Sequence, residues 1–419
     1  MDTTTAVSEV RVEKAKALSL SRTFQAFRYS DFRLMWLGAF TSTTGTWMQM
    51  VAQSWLVLNL TGSAFYLGLT GFCGDLPILL FTLVGGVTAD RIDRRKQLLT
   101  SQYVQMASAF ILTALVYFGW VRIWHILTLV FAAGTAQAFG GPAYQALIPG
   151  LVKRDDVPNA IALNSIQFNL ARVVGPLLAA VAMASVGALL CFFLNGLSFI
   201  AVIISLYSIQ ATFKPEKTKE SVLAGMNKGF AFVKEQGALW QLTVLGFIST
   251  FCGIPLLTLL PVFARDVFQM GATGYSTMMS ASGAGAITGA LLFAGLGHVR
   301  RRGIFTLQIQ VILALFLGIF AVSRIAALSY LVLFLGGVCL MALFASITSL
   351  VQLATSEQMR GRVMSIFMLA FRGGMPLGNL AGGFLASRFT PSVALISLGA
   401  LLALVAIGFM VSGSGVKKL

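Results

Sequence analysis

The chain has 419 residues, of which 57% are hydrophobic and 11% charged, and a formal charge of +16. Its mean hydropathy is +0.85. That balance excludes a water-soluble domain, and the position of the charge, taken up below, argues against a nucleic-acid binder.

Residues 1–31 hold charges of both signs and no apolar core, so no cleavable signal peptide is predicted. Ser19–Arg33 reads as a short interfacial helix. Twelve long apolar stretches follow, at 33–60, 64–88, 97–119, 123–147, 158–186, 188–210, 238–263, 272–296, 303–322, 326–350, 361–386 and 390–412. A helix needs about 20 apolar residues to cross a bilayer. Backbone polar groups must be satisfied internally in lipid. The predicted fold is therefore an all-α membrane protein with twelve transmembrane helices in two six-helix bundles.

Of the 30 Lys and Arg residues, 24 fall in the N-terminal segment and alternate gaps. The other gaps hold only Arg122, Arg265, Arg324 and Arg388. This asymmetry predicts cytoplasmic termini and an inner-membrane location, with some of the basic charge touching anionic lipid headgroups.

Span 1 carries Thr43, Thr46, Gln49 and Gln53 at spacings of three and four, with Trp47 nearby. Such a stripe lines a cavity or bonds a neighbouring helix. Asp75 is the one carboxylate well inside a span, about 11 residues or roughly 16 Å from the start of span 2. An ionised acid at that depth is costly, which marks it as a functional candidate. The bland alternative is a local hydrogen bond ahead of Pro77. Span 4 offers Gln137, Tyr144 and Gln145. Span 5 holds Asn164, Gln167, Asn169 and Arg172, then Gly175 and Pro176. Small residues allow close helix approach, and Pro opens the local hydrogen-bond ladder. Gln352, at the end of span 10, is a further polar candidate.

Residues 211–237 divide the chain into a bundle at 33–210 and a second at 238–412, with a tail at 413–419. Within this linker VLAGMNKGFAFVKE forms a predicted amphipathic surface helix. The halves echo each other: Ser165, Ile166, Arg172 and Pro176 recur 200 residues later as Ser365, Ile366, Arg372 and Pro376. Parallel six-span repeats are a transporter design, with substrate handled between them.

Gly86-Val-Thr-Ala-Asp90-Arg91-Ile-Asp93-Arg94-Arg95-Lys96 resembles the loop signature of the major facilitator superfamily, with Asp93 where the usual Gly stands. The form is similar to the branch of the enterobactin exporter and the macrolide efflux proteins. Gly175-Pro176-Leu-Leu-Ala179-Ala180 resembles the antiporter motif Gly-Pro-x-x-Gly-Gly, with Ala in both final positions. The resemblance implies a secondary transporter that works as a monomer and exports a small amphipathic or anionic compound, siderophore or drug-like, in exchange for protons. It also places spans 2 and 11 side by side and assigns Gly86, Asp90, Arg91, Arg94 and Arg95 to a cytoplasmic gate, with Asp90 facing the start of span 11 near Gly361.

On that frame Asp75 pairs with Arg372 in one state and is released by protonation. Arg172 and Arg372 bind an anionic group, and Gln49, Gln53, Asn164, Gln167, Tyr144 and Gln352 line the substrate site. The alternatives are an importer or lysolipid flippase on the same fold, and a non-transporting receptor or scaffold. Cys73, Cys191, Cys252 and Cys339 read as apolar fillers within spans. No phosphate-binding loop, metal cluster or nucleophile site is found around His125, His298 or elsewhere. No cofactor and no enzymatic activity are expected.

Overall fold

The computed structural model describes residues 24–209, 222–295 and 301–418, with the side chains of 89, 90, 222–228 and 418 outside the description. Six long helices form the first bundle: α1 (Ser30–Thr61), α2 (Ala64–Arg91), α3 (Arg94–Tyr117), α4 (Ile123–Leu147), α5 (Val157–Ser185) and α6 (Ala188–Ser208). The linker contributes α7 (Val222–Glu235). The seventh crossing is broken into α8 (Gly237–Gly253), α9 (Pro255–Val262) and a π-helical turn at Phe263–Val267. The remaining crossings are α10 (Ala272–Gly295), α11 (Arg302–Val322), α12 (Ala326–Leu353), α13 (Arg360–Arg388) and α14 (Pro391–Val411).

Eleven of these crossings are long and apolar enough to span a membrane by composition alone. The exception is α1, whose Thr, Ser and Gln residues lower its hydropathy. Helix ends follow local chemistry. Gly62 closes α1 in the left-handed conformation at φ 62°, where a side chain is strained. Ser63 then caps α2 by accepting from the Phe65 amide. The interfacial helix expected over Ser19–Arg33 is reduced, within the described residues, to one 3₁₀ turn at Gln25–Arg28, and α1 begins early, at Ser30. That turn is pinned to α5. Asn159 accepts from the Ala26 amide at 2.9 Å, and the Tyr29 hydroxyl donates to Asp156 at 2.7 Å. Donation to Asp156 raises the Tyr29 phenol above its ordinary pKa.

The two bundles repeat one packing scheme. In the first, α1 packs on α5 and α6, α2 on α4, and α3 on α4 and α6; in the second, α8 packs on α13 and α14, α10 on α12, and α11 on α12 and α14. The bundles meet along two seams, α2 with α13 and α5 with α10. Both described chain ends lie on one side, here called the terminal side: Val416 packs at the start of α11 beside Gly303, and Gly415 beside Ala238.

Lipid supplies no hydrophobic drive between helices, so close packing must hold the seams. On the side away from the termini the backbones of α2 and α13 touch. A Cβ on Gly68 would strike the Asn379 carbonyl oxygen, and one on Gly383 would come within 2.8 Å of the Ala64 carbonyl oxygen and the Gly68 Cα. Trp55 of α1 stacks on Tyr275 of α10, with centroids 6.3 Å apart. Arg265 donates to the Leu58 carbonyl at 3.1 Å while pairing with Asp266. This side is sealed.

Candidate functional site

The terminal side is open. A cleft of about 270 Å³ lies between α2 and α13, lined by Ile78, Leu79, Thr82 and Leu83 on one wall. Met364, Ser365, Met368, Leu369 and Arg372 form the other. A Cβ added at Gly86 or Gly361, near the mouth, would meet no atom within 4 Å.

The repeat explains where the opening ends. Ile161, Ser165, Phe168 and Arg172 fall on one face of α5, at spacings of four, three and four. Gly361, Ser365, Met368 and Arg372 do the same on α13. Ile161 and Phe168 are each 49% exposed. Beyond each arginine the same face becomes buried, as Pro176 and Ala179 on α5 and as Pro376 and Asn379 on α13. Arg372 therefore marks the floor of the cleft, and Arg172 holds the repeat-equivalent position on α5, outside the cleft lining. The Arg172 guanidinium lies 5.6 Å from the Trp47 ring centroid, and Trp47 meets Phe168 edge to face at 6.2 Å. Gly175 allows that approach: a Cβ there would lie 2.5 Å from the Trp47 Cβ and 2.8 Å from the Thr44 carbonyl oxygen.

Asp75 sits just past the floor, on the sealed side. No ion pair joins it to Arg372 in this conformation. Asn379 Nδ2 donates to the Asp75 carboxylate at 3.2 Å, and Thr258 of α9 donates to Asn379 Oδ1 at 2.7 Å. Asn379 is 4% exposed.

The other polar candidates are spent within the first bundle or lie away from the cleft. Asn195 of α6 donates to Gln49 Oε1 at 2.7 Å. The reason is geometric. Each three-residue step from Thr43 to Thr46 to Gln49 falls about 60° short of a turn, so the stripe drifts off one face. Thr46 remains exposed, while Gln53 is 9% exposed. Tyr144 donates to Asn164 Oδ1 at 2.6 Å, tying α4 to α5. Gln167 is 2% exposed, and its Nε2 has no partner among the described residues. Asn169 donates to the Ser165 carbonyl. Gln352 is exposed at the terminal-side end of α12, apart from the cleft lining.

The charged loop holds its own bundle together. Asp93 caps α3 by accepting from the Arg95 amide at 2.8 Å. Arg94 donates to the Ala146 carbonyl at 3.1 Å. Arg95 donates to the Tyr207 carbonyl at 2.8 Å and lies over the Tyr207 ring. Arg91 is exposed. The Asp90 carboxylate lies outside the described residues. The start of α13 is met by the linker helix, where a Cβ on Gly229 would lie 3.1 Å from the Arg362 carbonyl oxygen.

Sequence reasoning passed over Asn379, Thr258 and Asn195. The available signal was a polar side chain inside an apolar run, which lipid penalises unless it is bonded.

Two apolar bundles related by a repeat, sealed at one side and open to a cleft floored by Arg372 at the other, are the architecture of a transporter of the major facilitator superfamily. The sequence profile of the family described as "Transmembrane secretion effector" matches residues 21–414, and the chain belongs to that family. It is 22% identical over 379 residues to macrolide efflux protein A of Streptococcus pyogenes, covering 86% of this chain and 91% of that one. It is 27% identical over 390 residues to the enterobactin exporter EntS of Shigella boydii, covering 89% and 88%. A solved bacterial homologue of the human lysosomal transporter Spinster, in an inward-facing and occupied conformation, superposes with a TM-score of 0.75 at 11% identity, covering 92% of this chain and 97% of that one.

Proposed function

We propose that this chain exports a small amphipathic or anionic compound across the inner membrane by alternating access, in exchange for protons, working as a monomer with both termini in the cytoplasm. The observation that carries the reading is a one-sided opening floored by Arg372, whose repeat-equivalent in the first bundle is Arg172. On this reading the structure is the inward-open state. The Arg372 cation at the floor favours an anionic group, and the apolar walls of Ile78, Leu79, Met364 and Met368 favour an apolar body. Export follows the printed activities of the macrolide and enterobactin relatives. The cytoplasmic assignment follows the basic residues gathered on the terminal side.

Arg172 and Arg372 hold the substrate. Asp75 carries the proton, and in the other state it pairs with Arg372. Gly86, Asp90, Arg91, Arg94 and Arg95 close the cytoplasmic side when the bundles rock, with Asp90 meeting the positive end of α13. The transporting units are 33–210 and 238–412, joined by 211–237. A second reading, movement of a single-chain anionic lipid, draws on the same cleft, where Arg372 is the one charge among otherwise uncharged lining residues.

Proton flux in proteoliposomes tests the proposal, with siderophores, macrolides, dyes and lysolipids offered to native protein and to Asp75→Asn. Substrate-evoked proton movement that is lost in the variant supports it. Movement retained in the variant removes Asp75 as carrier, and evocation by lysolipids alone favours the second reading.

A further inference from the structure

We propose that Asn379 and Thr258 are positioning residues that read the charge on Asp75 and keep the empty carrier from reorienting. This rests on the reading of Asp75 as the proton carrier. An exchanger must not change sides when it holds neither proton nor substrate, because that step lets substrate leak without its counter-ion.

The geometry supplies such a block. Asn379 belongs to α13 and Asp75 to α2, so their 3.2 Å hydrogen bond crosses the seam between bundles. It lies beside the contacts of Gly68, Gly71 and Gly383 that seal the far side: a Cβ on Gly71 would lie 2.7 Å from Asn379 Nδ2. The seal cannot part without stretching this bond. An amide can present either its donor or its acceptor, and here the Thr258 contact goes with the donor facing Asp75. The Thr258 hydroxyl donates to Oδ1 at 2.7 Å, which leaves Nδ2 facing the carboxylate. A donor held against an ionised carboxylate makes a charge-assisted bond, roughly twice as strong as a neutral one. Protonation of Asp75 removes that assistance and leaves a neutral bond, and turning the amide to accept the new proton requires the Thr258 hydroxyl to switch from donor to acceptor. The charged, empty state is clasped; the protonated state is released.

Few other groups could respond to pH at this point. Arg372 acts on Asp75 from α13, and Cys73 is two residues away on α2. The neighbouring part of α4 presents Val130 and Gly134, and α9 presents Thr258. Arg265 and Asp266, at the far end of the seventh crossing, bind each other.

The test needs protons alone as the probe. Ala64, 6% exposed at the sealed seam, is changed to Cys in a background lacking the four native cysteines. Its alkylation by a bulky maleimide is followed in purified protein at pH 5.5 and pH 8, normalised to the unfolded chain at each pH. In the parent the far side should open at least tenfold more readily at the lower pH. Thr258→Val, which keeps shape and loses the hydroxyl, and Asn379→Leu should label readily at both. If both variants keep the parent's pH dependence while Asp75→Asn loses it, the clasp is overturned and Asp75 stands as carrier. A parent without pH dependence, or dependence that survives in Asp75→Asn, overturns the role of Asp75 and the clasp together.

Discussion

Asp75 and Asn379 lie 304 positions apart in the chain and 3.2 Å apart in space, joined across the seam between the two bundles. Among the described residues this is the one polar side-chain bond that the sealed side directs at the buried carboxylate. It puts the candidate proton carrier on the surface that must part for the protein to change sides. The arginine expected to pair with Asp75 stands on the cleft side of the same helix, seven residues before Asn379. Two partners on one helix face thus offer the carboxylate a choice between clasping the seal and meeting the cavity.

The first prediction concerns Asp75 itself. Asp75→Asn keeps the size of the side chain and an oxygen that can still accept from Asn379, so the protein should fold and survive purification. It cannot exchange a proton. Substrate-evoked proton movement in proteoliposomes should fall at least tenfold, while downhill exchange of the same substrate continues.

The arginines give a second prediction. Arg172→Gln and Arg372→Gln each remove a cation while keeping a shorter, neutral polar side chain. An anionic substrate should bind at least tenfold more weakly to each, a loss of about 1.4 kcal/mol. A neutral substrate analogue should lose much less. Equilibrium binding to detergent-purified protein separates the two, and equal losses for both ligands would assign the arginines to structure.

How much of this was legible in the sequence depends on what kind of signal each residue leaves. The twelve crossings and the two halves are written in hydropathy and in the 200-residue recurrence of Arg172-Pro176 at Arg372-Pro376. Asp75 stands out because a carboxylate in an apolar run has a large energetic cost. Asn379 costs less, lies in a glycine-rich stretch, and takes meaning only from Thr258 and Asp75 on other helices. Gln49 was misleading for the opposite reason. Its spacing suggests a shared face with Thr43 and Thr46, but its partner, Asn195, lies 146 positions away on α6. Pairings of that kind are set by tertiary packing, which one helix's periodicity does not encode.

Close packing at Gly175 supports a third prediction. A methyl group there meets the Trp47 Cβ at 2.5 Å and main-chain atoms of α1. The main chain cannot swing aside as a flexible side chain would. Overpacking of this kind costs about 1–3 kcal/mol. Gly175→Ala should lower the melting temperature in detergent, whereas Gly361→Ala, with open space around it, should leave it unchanged.

The last prediction concerns Asp93, which stands where the resemblance places a glycine. Its carboxylate accepts from the Arg95 amide at the start of α3, and the next two residues bind the ends of α4 and α6 through Arg94 and Arg95. The cap therefore aligns two anchoring arginines with the carbonyl groups they meet. Glycine is nearly as good as aspartate at such a position, costing about a few tenths of a kcal/mol, whereas an apolar side chain there costs about 1 kcal/mol. Asp93→Gly should retain both stability and transport rate. Asp93→Leu should lose stability to about that extent and slow transport, since the start of α3 frays and the two arginines lose their register. Thermal melting beside transport rate, measured on the same preparations, checks both. A Leu variant as stable and as fast as the Gly variant would show that Arg94 and Arg95 hold the loop without the cap.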